Sequence, residues 1–244
     1  MHQNPLRPAP TVRASISDDG LVLLDLAGGL VLSSNVVGGR IWQLIEQRRT
    51  PEEIARQLAV EAKELALLSV DAPVSGGQAG AENGKLSIMC GGSAAAMDAA
   101  RMVLKAYAAR IVHVGGSGAG QATKSVNQIC IAGTLAGLSE GVRFAQASGL
   151  DLDKVFEAIS GGAAQSWQMD NRWATMARGE FDFGFAIDWM RKDLAIALGE
   201  GAERGLSLPV TALVDQFYAQ VQAQGGSRQD TSALIRHLPE GTKA

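Results

Sequence analysis

At 244 residues the chain is long enough for one large domain or two small ones, and with 46% hydrophobic residues it can build a real core. A formal charge of −3 gives no electrostatic reason to expect nucleic acid or an anionic membrane as a partner. Cys90 and Cys130 lack metal-ligand spacing and read as buried reduced thiols, and no apolar run approaches the roughly 18 residues of a membrane span, so a cytoplasmic protein without a metal site is expected.

Met1–Pro10 is polar and Pro-rich and reads as a mobile tail. Three short strands follow, with a turn at Asp18-Asp19-Gly20 and another at Ala27-Gly28-Gly29. Asn35 is placed to cap a helix over "NVVGGRIWQLIEQ", whose Ile41, Trp42, Leu44 and Ile45 make an apolar stripe. The next helix has Thr50 as N-cap, Pro51 in its first turn and Glu53 at the capping-box position, with Ile54, Ala55 and Leu58 on its buried side. The run "DDGLVLLDLAGGLVLSSNVVGGRIWQLIEQRRTPEEIARQLA" resembles the PqqD-like family. That resemblance implies a small winged-helix-like α+β module able to take a leader peptide as an added strand.

Further along, "LALLSVDAPV" reads as a buried strand, "KLSIMC" as a second and "RIVHVG" as a third. Between the last two, Ala94–Ala109 is an alanine-rich helix with Met97, Ala100, Val103 and Leu104 on one side. Strands alternating with a helix indicate an α/β layer. From Gly120 the chain turns helical. "ATKSVNQICIAGTLAGLSEGVRFAQASG" is one long helix whose small residues suit a central, buried place, and others follow over 151–159, 165–177, 186–203 and 209–224. The stretch "VHVGGSGAGQATKS" imitates a nucleotide-binding turn, but its glycines fit GxGxxG in no register and Lys124 stands four positions after Gly120, which also fails the P-loop.

Four blocks, "DAPVSGGQAGAENGKLSIMCGG", "GSGAGQATKSVNQ", "FDFGFAIDWMRKDLAIA" and "GLSLPVT", together resemble the β-hydroxyacid dehydrogenases, the group of 3-hydroxyisobutyrate dehydrogenases and tartronate semialdehyde reductases. "KSVNQ" is similar to the tartronate semialdehyde reductase branch. Ser75, Gly76 and Gly77 offer a hydroxyl and exposed N–H groups as a substrate carboxylate cradle. Lys124 is the candidate catalytic acid/base, and Asn127, three residues on, shares its helix face and can orient substrate. By resemblance, Phe185 and Lys192 wall the cofactor and substrate side, and Asp193 positions the lysine network.

Three parts are thus expected: a PqqD-like module over 1–66, a remnant of an α/β nucleotide-binding domain with a partial Rossmann-type sheet over 67–116, and an all-helical substrate and dimerisation domain over 117–244. The resemblance implies NAD or NADP as cofactor, a small carboxylate substrate and a homo-oligomer. Residues 1–66 carry no GxGxxG, so the pyrophosphate has no identifiable holder and the surviving strands are expected to show an open edge. Three readings follow: an oxidoreductase with impaired or partner-assisted cofactor binding, a peptide-binding adaptor on an inactive scaffold, and a fusion or truncation without activity.

Overall fold

The computed structural model describes residues 5–240, and the chain falls into two compact units, Met1–Ser69 and Val70–Ala244. In the first, β1 (Val12–Ser17), β2 (Gly20–Asp25) and β3 (Leu30–Ser34) form an antiparallel meander, with Val12 opposite Asp25 and Leu23 opposite Leu32. Gly20 has φ +135°, and a Cβ there would stand 2.2 Å from the Ser34 carbonyl oxygen, so only glycine fits. Helix α1 (Val36–Glu46) is capped by Asn35, whose Oδ1 accepts from Gly38 N at 3.1 Å. Helix α2 (Pro51–Glu64) has its capping box complete: Thr50 Oγ1 accepts from Glu53 N and Glu53 Oε2 accepts from Thr50 N. Arg40 ties the two helices by an ion pair to Glu61 at 2.6 Å.

Leu21, Leu44 and Ile54 are the buried apolar side chains of this unit, while Ala55, expected inside, is exposed. Of the N-terminal tail, residues 1–4 lie outside the described residues. Leu6–Ala9 line a cavity of about 230 Å³ together with Leu23, Leu32, Trp42 and Ile45.

The second unit opens with β4 (Val70–Asp71) and β5 (Val74–Ser75), both antiparallel to β6 (Leu86–Gly92), with a short helix α3 (Gly77–Glu82) inside the glycine-rich loop. Helix α4 (Ala94–Leu104) then leads to β7 (Ala108–Gly115), parallel to β6, which completes a βαβ unit. Leu86, Ile88, Cys90, Met97 and Leu104 form its core. Here three expectations fail. The strand over "LALLSVDAPV" shrinks to two short pieces flanking Pro73, and Leu67 and Leu68 are exposed, because among the described residues only β6 pairs with this segment. Helix α4 ends at Leu104 and not at Ala109, since Ala108 already pairs in β7. Val103 is 63% exposed, off the face that Met97 and Leu104 bury.

Helix α5 (Ala119–Ala147) is the spine of the rest, joined by α6 (Leu152–Ile159), α7 (Trp167–Arg178), α8 (Ile187–Glu203), α9 (Pro209–Ala223) and a 3-10 segment, Thr231–His237. Leu135, Val142, Trp173, Met190, Leu194 and Tyr218 lie in the core they enclose. The buried Tyr218 hydroxyl donates to Thr231 O at 3.2 Å, and burial pushes its pKa above the ordinary phenol range. Contrary to expectation, α5 is not enclosed all round. Gly133, Gly137 and Gly141 meet nothing within 4 Å, Phe144 is 73% exposed, and Cys130 is an exposed thiol on the same side. Small residues on α5 therefore mark an open face as well as close packing. Among the described residues, no helix is long and apolar enough to cross a membrane.

Candidate active site

The start of α5 sets the position of Lys124. Gly118, the N-cap, is left-handed at φ +89° and supplies no side-chain cap. The cap comes instead from β4: Asp71 Oδ1 accepts from Gly118 N at 2.7 Å and Oδ2 from Gln121 N at 2.9 Å. Gly120 presses on the sheet so closely that a Cβ would stand 2.4 Å from Met89 O. Two N–H groups at this imitation nucleotide turn, those of Gly118 and Gln121, are thus taken up by a carboxylate.

One turn further along, the half-buried Lys124 donates from Nζ to Val74 O at 2.9 Å, at the residue preceding Ser75. Gly76 (φ +126°) and Gly77 (φ +60°) then turn the chain, and a Cβ on Gly77 would meet nothing within 4 Å, so this backbone stands open. Across from it, the Phe185 ring centroid lies 6.0 Å from Lys124 Nζ. Burial pulls the Lys124 ammonium below its ordinary pKa; the Asp193 carboxylate raises it and Lys192 lowers it again.

A second group runs behind the amine. Asn127 Nδ2 donates to Gln128 Oε1 at 2.8 Å, Gln128 Nε2 donates to Asp193 Oδ2 at 2.6 Å, and Asp193 Oδ1 pairs with Lys192 Nζ at 2.7 Å. Asp193 is nearly buried at 11% side-chain exposure, whereas Lys192 keeps 64%. Lys124, the Ser75–Gly77 turn and Phe185 are thus gathered, and Asn127, Asp193 and Lys192 are linked to one another. No hydrogen bond among the described residues joins Asn127 to Lys124. Asn127 is joined instead to Asp193, through Gln128, 2% exposed, which sequence reasoning passed over although it stands at i+4 from Lys124, on the same helix face.

Phe185 is held by a buried carboxylate. Asp230, 1% exposed, accepts from Phe185 N at 3.0 Å, from Arg172 Nε at 2.9 Å and from the Ser232 hydroxyl at 2.7 Å. A broader groove of about 450 Å³, lined by Arg40, Leu44, Gln47, Arg49, Glu53 and Gln57, belongs to the first unit and contains none of the predicted site residues.

The chain as a whole has relatives among known proteins. A model described as NAD-binding of NADP-dependent 3-hydroxyisobutyrate dehydrogenase matches residues 118–238, and one described as the NAD binding domain of 6-phosphogluconate dehydrogenase matches residues 44–115. A 2-(hydroxymethyl)glutarate dehydrogenase from Eubacterium barkeri is 35% identical over 91% of this chain and 73% of its own length. The chain belongs to the β-hydroxyacid dehydrogenase family. An oxidoreductase from Shewanella frigidimarina is 55% identical over 80% of this chain and 67% of its own. Among solved members, the Mycobacterium tuberculosis 3-hydroxyisobutyrate dehydrogenase with L-serine superposes with a TM-score of 0.68 at 31% identity, covering 75% of this chain and 65% of that one.

The chain spans about two thirds of the length of the β-hydroxyacid dehydrogenases it matches. NAD(P) is the cofactor that the matching family models and a solved relative in complex with NADP+ carry. A third model, coenzyme PQQ synthesis protein D, matches residues 20–66, so all of α2 falls within two models at once.

Proposed function

We propose that the second unit carries the substrate side of an NAD(P)-linked dehydrogenase that interconverts a small 3-hydroxy acid and its semialdehyde. The observation that carries this reading is the half-buried Lys124 amine, held beside the Ser75–Gly77 turn on one side and Phe185 on the other. Ser75 and the N–H groups of Gly76 and Gly77 take the substrate carboxylate. The Lys124 ammonium donates a proton to the carbonyl oxygen in reduction, and the neutral amine takes it back in oxidation. Asn127 orients the substrate, and Gln128 fixes Asn127 and Asp193 in register behind it. NAD(P) supplies or accepts the hydride when bound. Phe185 and Lys192 fit its nicotinamide end, with Asp193 anchoring Lys192.

Its pyrophosphate is a different matter. Residues 1–66 contain no GxGxxG, and the N–H groups of Gly118 and Gln121 are committed to Asp71. Cofactor binding by this chain alone is therefore weak in this reading. Relatives of the family include a 2-hydroxy-3-oxopropionate reductase from Escherichia coli, 37% identical over 75% of this chain, which supports a semialdehyde of that size as substrate. The open face of α5, with Gly137, Gly141 and Phe144, suits pairing with a second copy, and a cytoplasmic setting accords with this chemistry.

A second reading concerns the first unit. All five residues of β3 are exposed, among them Leu30, Val31 and Leu32, and β3 is one of the two edges of its sheet, an arrangement suited to an added peptide strand on a winged-helix-like module. Titration of the full chain with NADH and NADPH, followed by cofactor fluorescence, tests the enzyme reading. Micromolar binding that tightens with tartronate, and turnover abolished by Lys124→Ala, supports it. Absence of binding up to millimolar cofactor defeats catalysis by this chain and leaves leader peptides at β3 as the function to test.

A further inference from the structure

The buried amide of Gln128 has its orientation fixed by two neighbours. Asp193 pairs through Oδ1 with Lys192 Nζ at 2.7 Å, and its Oδ2 accepts from Gln128 Nε2 at 2.6 Å. A carboxylate partnered with an ammonium has only lone pairs to offer, so the end of Gln128 that faces it is the nitrogen. Met190 Sδ, itself a weak acceptor, lies 3.8 Å from the same nitrogen. Reversing the amide would set Gln128 Oε1 against a carboxylate oxygen and a sulfur, in a side chain only 2% exposed.

That orientation passes to the next residue. With Nε2 turned to Asp193, Gln128 presents Oε1 on its other side, and Asn127 Nδ2 donates to it at 2.8 Å. The end of the Asn127 amide away from Gln128 is therefore the carbonyl oxygen. This Oδ1 accepts no hydrogen bond among the described residues, where the sealed side-chain polar atoms without a partner are Arg143 Nε and Gln168 Oε1. Asn127 Oδ1 is not one of them and stands open to a ligand. Lys124 lies three residues before on the same side of α5, and the Asp193 charge reaches it. The two side chains thus have opposite character, an ammonium that donates and a carbonyl that accepts.

We propose that Asn127 determines specificity as a hydrogen-bond acceptor, holding a ligand hydroxyl that donates to Oδ1, with Asp193 setting this polarity through Gln128. The inference rests on reading Ser75–Gly77 and Lys124 as a hydroxy-acid site, and it gives that site a direction. An alcohol satisfies both side chains, donating to Asn127 and accepting from Lys124, whereas a carbonyl oxygen has no hydrogen for Asn127.

Two pairs of acids test it on the full chain by titration calorimetry: 3-hydroxypropionate against 3-fluoropropionate, and lactate against 2-fluoropropionate. Fluorine is close to a hydroxyl in size and donates nothing. The hydroxy acid of at least one pair binds about tenfold tighter than its partner, the scale of one hydrogen bond. Asn127→Leu removes the difference. Asn127→Asp, which keeps an acceptor and loses the amide donor, retains it. Gln128→Met frees the Asn127 amide to turn; it narrows the difference and moves the Asn127 side-chain amide protons to free-amide positions in NMR spectra. Equal affinity within both pairs, a difference that survives Asn127→Leu, or one lost in Asn127→Asp overturns the acceptor role while the acid site stands. A difference unchanged in Gln128→Met overturns the control by Asp193 and Gln128. Binding of none of the four acids overturns the acid site as well.

Discussion

The charge on Lys124 is set by three neighbours whose effects have opposite signs. Burial lowers its pKa, Asp193 raises it and Lys192 lowers it. The lowered value makes the ammonium a readier proton donor and yields neutral amine below the ordinary lysine range of about 10.4. In the proposed acid/base role of Lys124, reduction draws on the ammonium and its rate falls as pH rises through this pKa, while oxidation draws on the amine and rises over the same interval. Asp193→Asn keeps an oxygen to accept from Gln128 but removes the charge that raises the Lys124 pKa, so the interval moves to lower pH. Lys192→Gln moves it the other way. NMR titration of ¹³Cε-labelled lysine reads both shifts without any turnover, and an unchanged or reversed order would sink this account of the amine. Lys124→Met, which cannot exchange a proton, lowers turnover by about 10²–10⁴-fold with the fold intact.

At the scale of an element, the start of α5 decides whether that amine is in place. Gly120 lies against Met89 O and Asp71 O, with no room for a methyl group. Gly120→Ala therefore lifts the first turn off the sheet, costing about 1–3 kcal/mol in urea unfolding, and loosens the contact of Lys124 with Val74. The Lys124 titration should then return toward the ordinary range; a destabilised variant with an unmoved titration would show that α5 and the amine are not coupled. This element also marks what could be read beforehand. The helix and its lysine were legible because Ala-rich periodicity and the "KSVNQ" spacing are local, as were the Asn35 and Thr50 caps. The cap on α5 was not, because Asp71 stands 47 residues before Gly118. Phe185 was nameable by resemblance, yet its anchor, Asp230, lies 45 residues away and is reached only through the fold. Exposure of Val103, Leu67 and Leu68 was missed for the same reason. An apolar residue reads as buried unless the absence of a neighbour is known, and a sequence does not display its missing neighbours.

The whole chain joins two units of unequal cores, and α2, which matches two family models, lies in the smaller. The first unit buries Leu21, Leu44 and Ile54, whereas the second buries a large cluster around Leu135, Leu194 and Tyr218 and a smaller one around Ile88 and Met97. Units with separate cores unfold separately, so calorimetry should resolve two transitions, the lower belonging to residues 5–69. The Arg40–Glu61 pair labels that lower transition. Hydrogen bonding to Arg40 holds the Glu61 carboxyl at about 2, against 4.5 for the free group. A carboxyl whose folded pKa is depressed stabilises fully above the unfolded value and loses that contribution as pH falls toward the folded one. The pair therefore supports the lower transition above about pH 4.5 and fades between there and about pH 2. Arg40→Met should lower the first midpoint by a few degrees at neutral pH and leave the second where it was. The gap between this variant and the unaltered protein should close as the pH is taken down through that window. A single transition would contradict separate cores, and a gap that stays constant with pH would remove Glu61 as its cause.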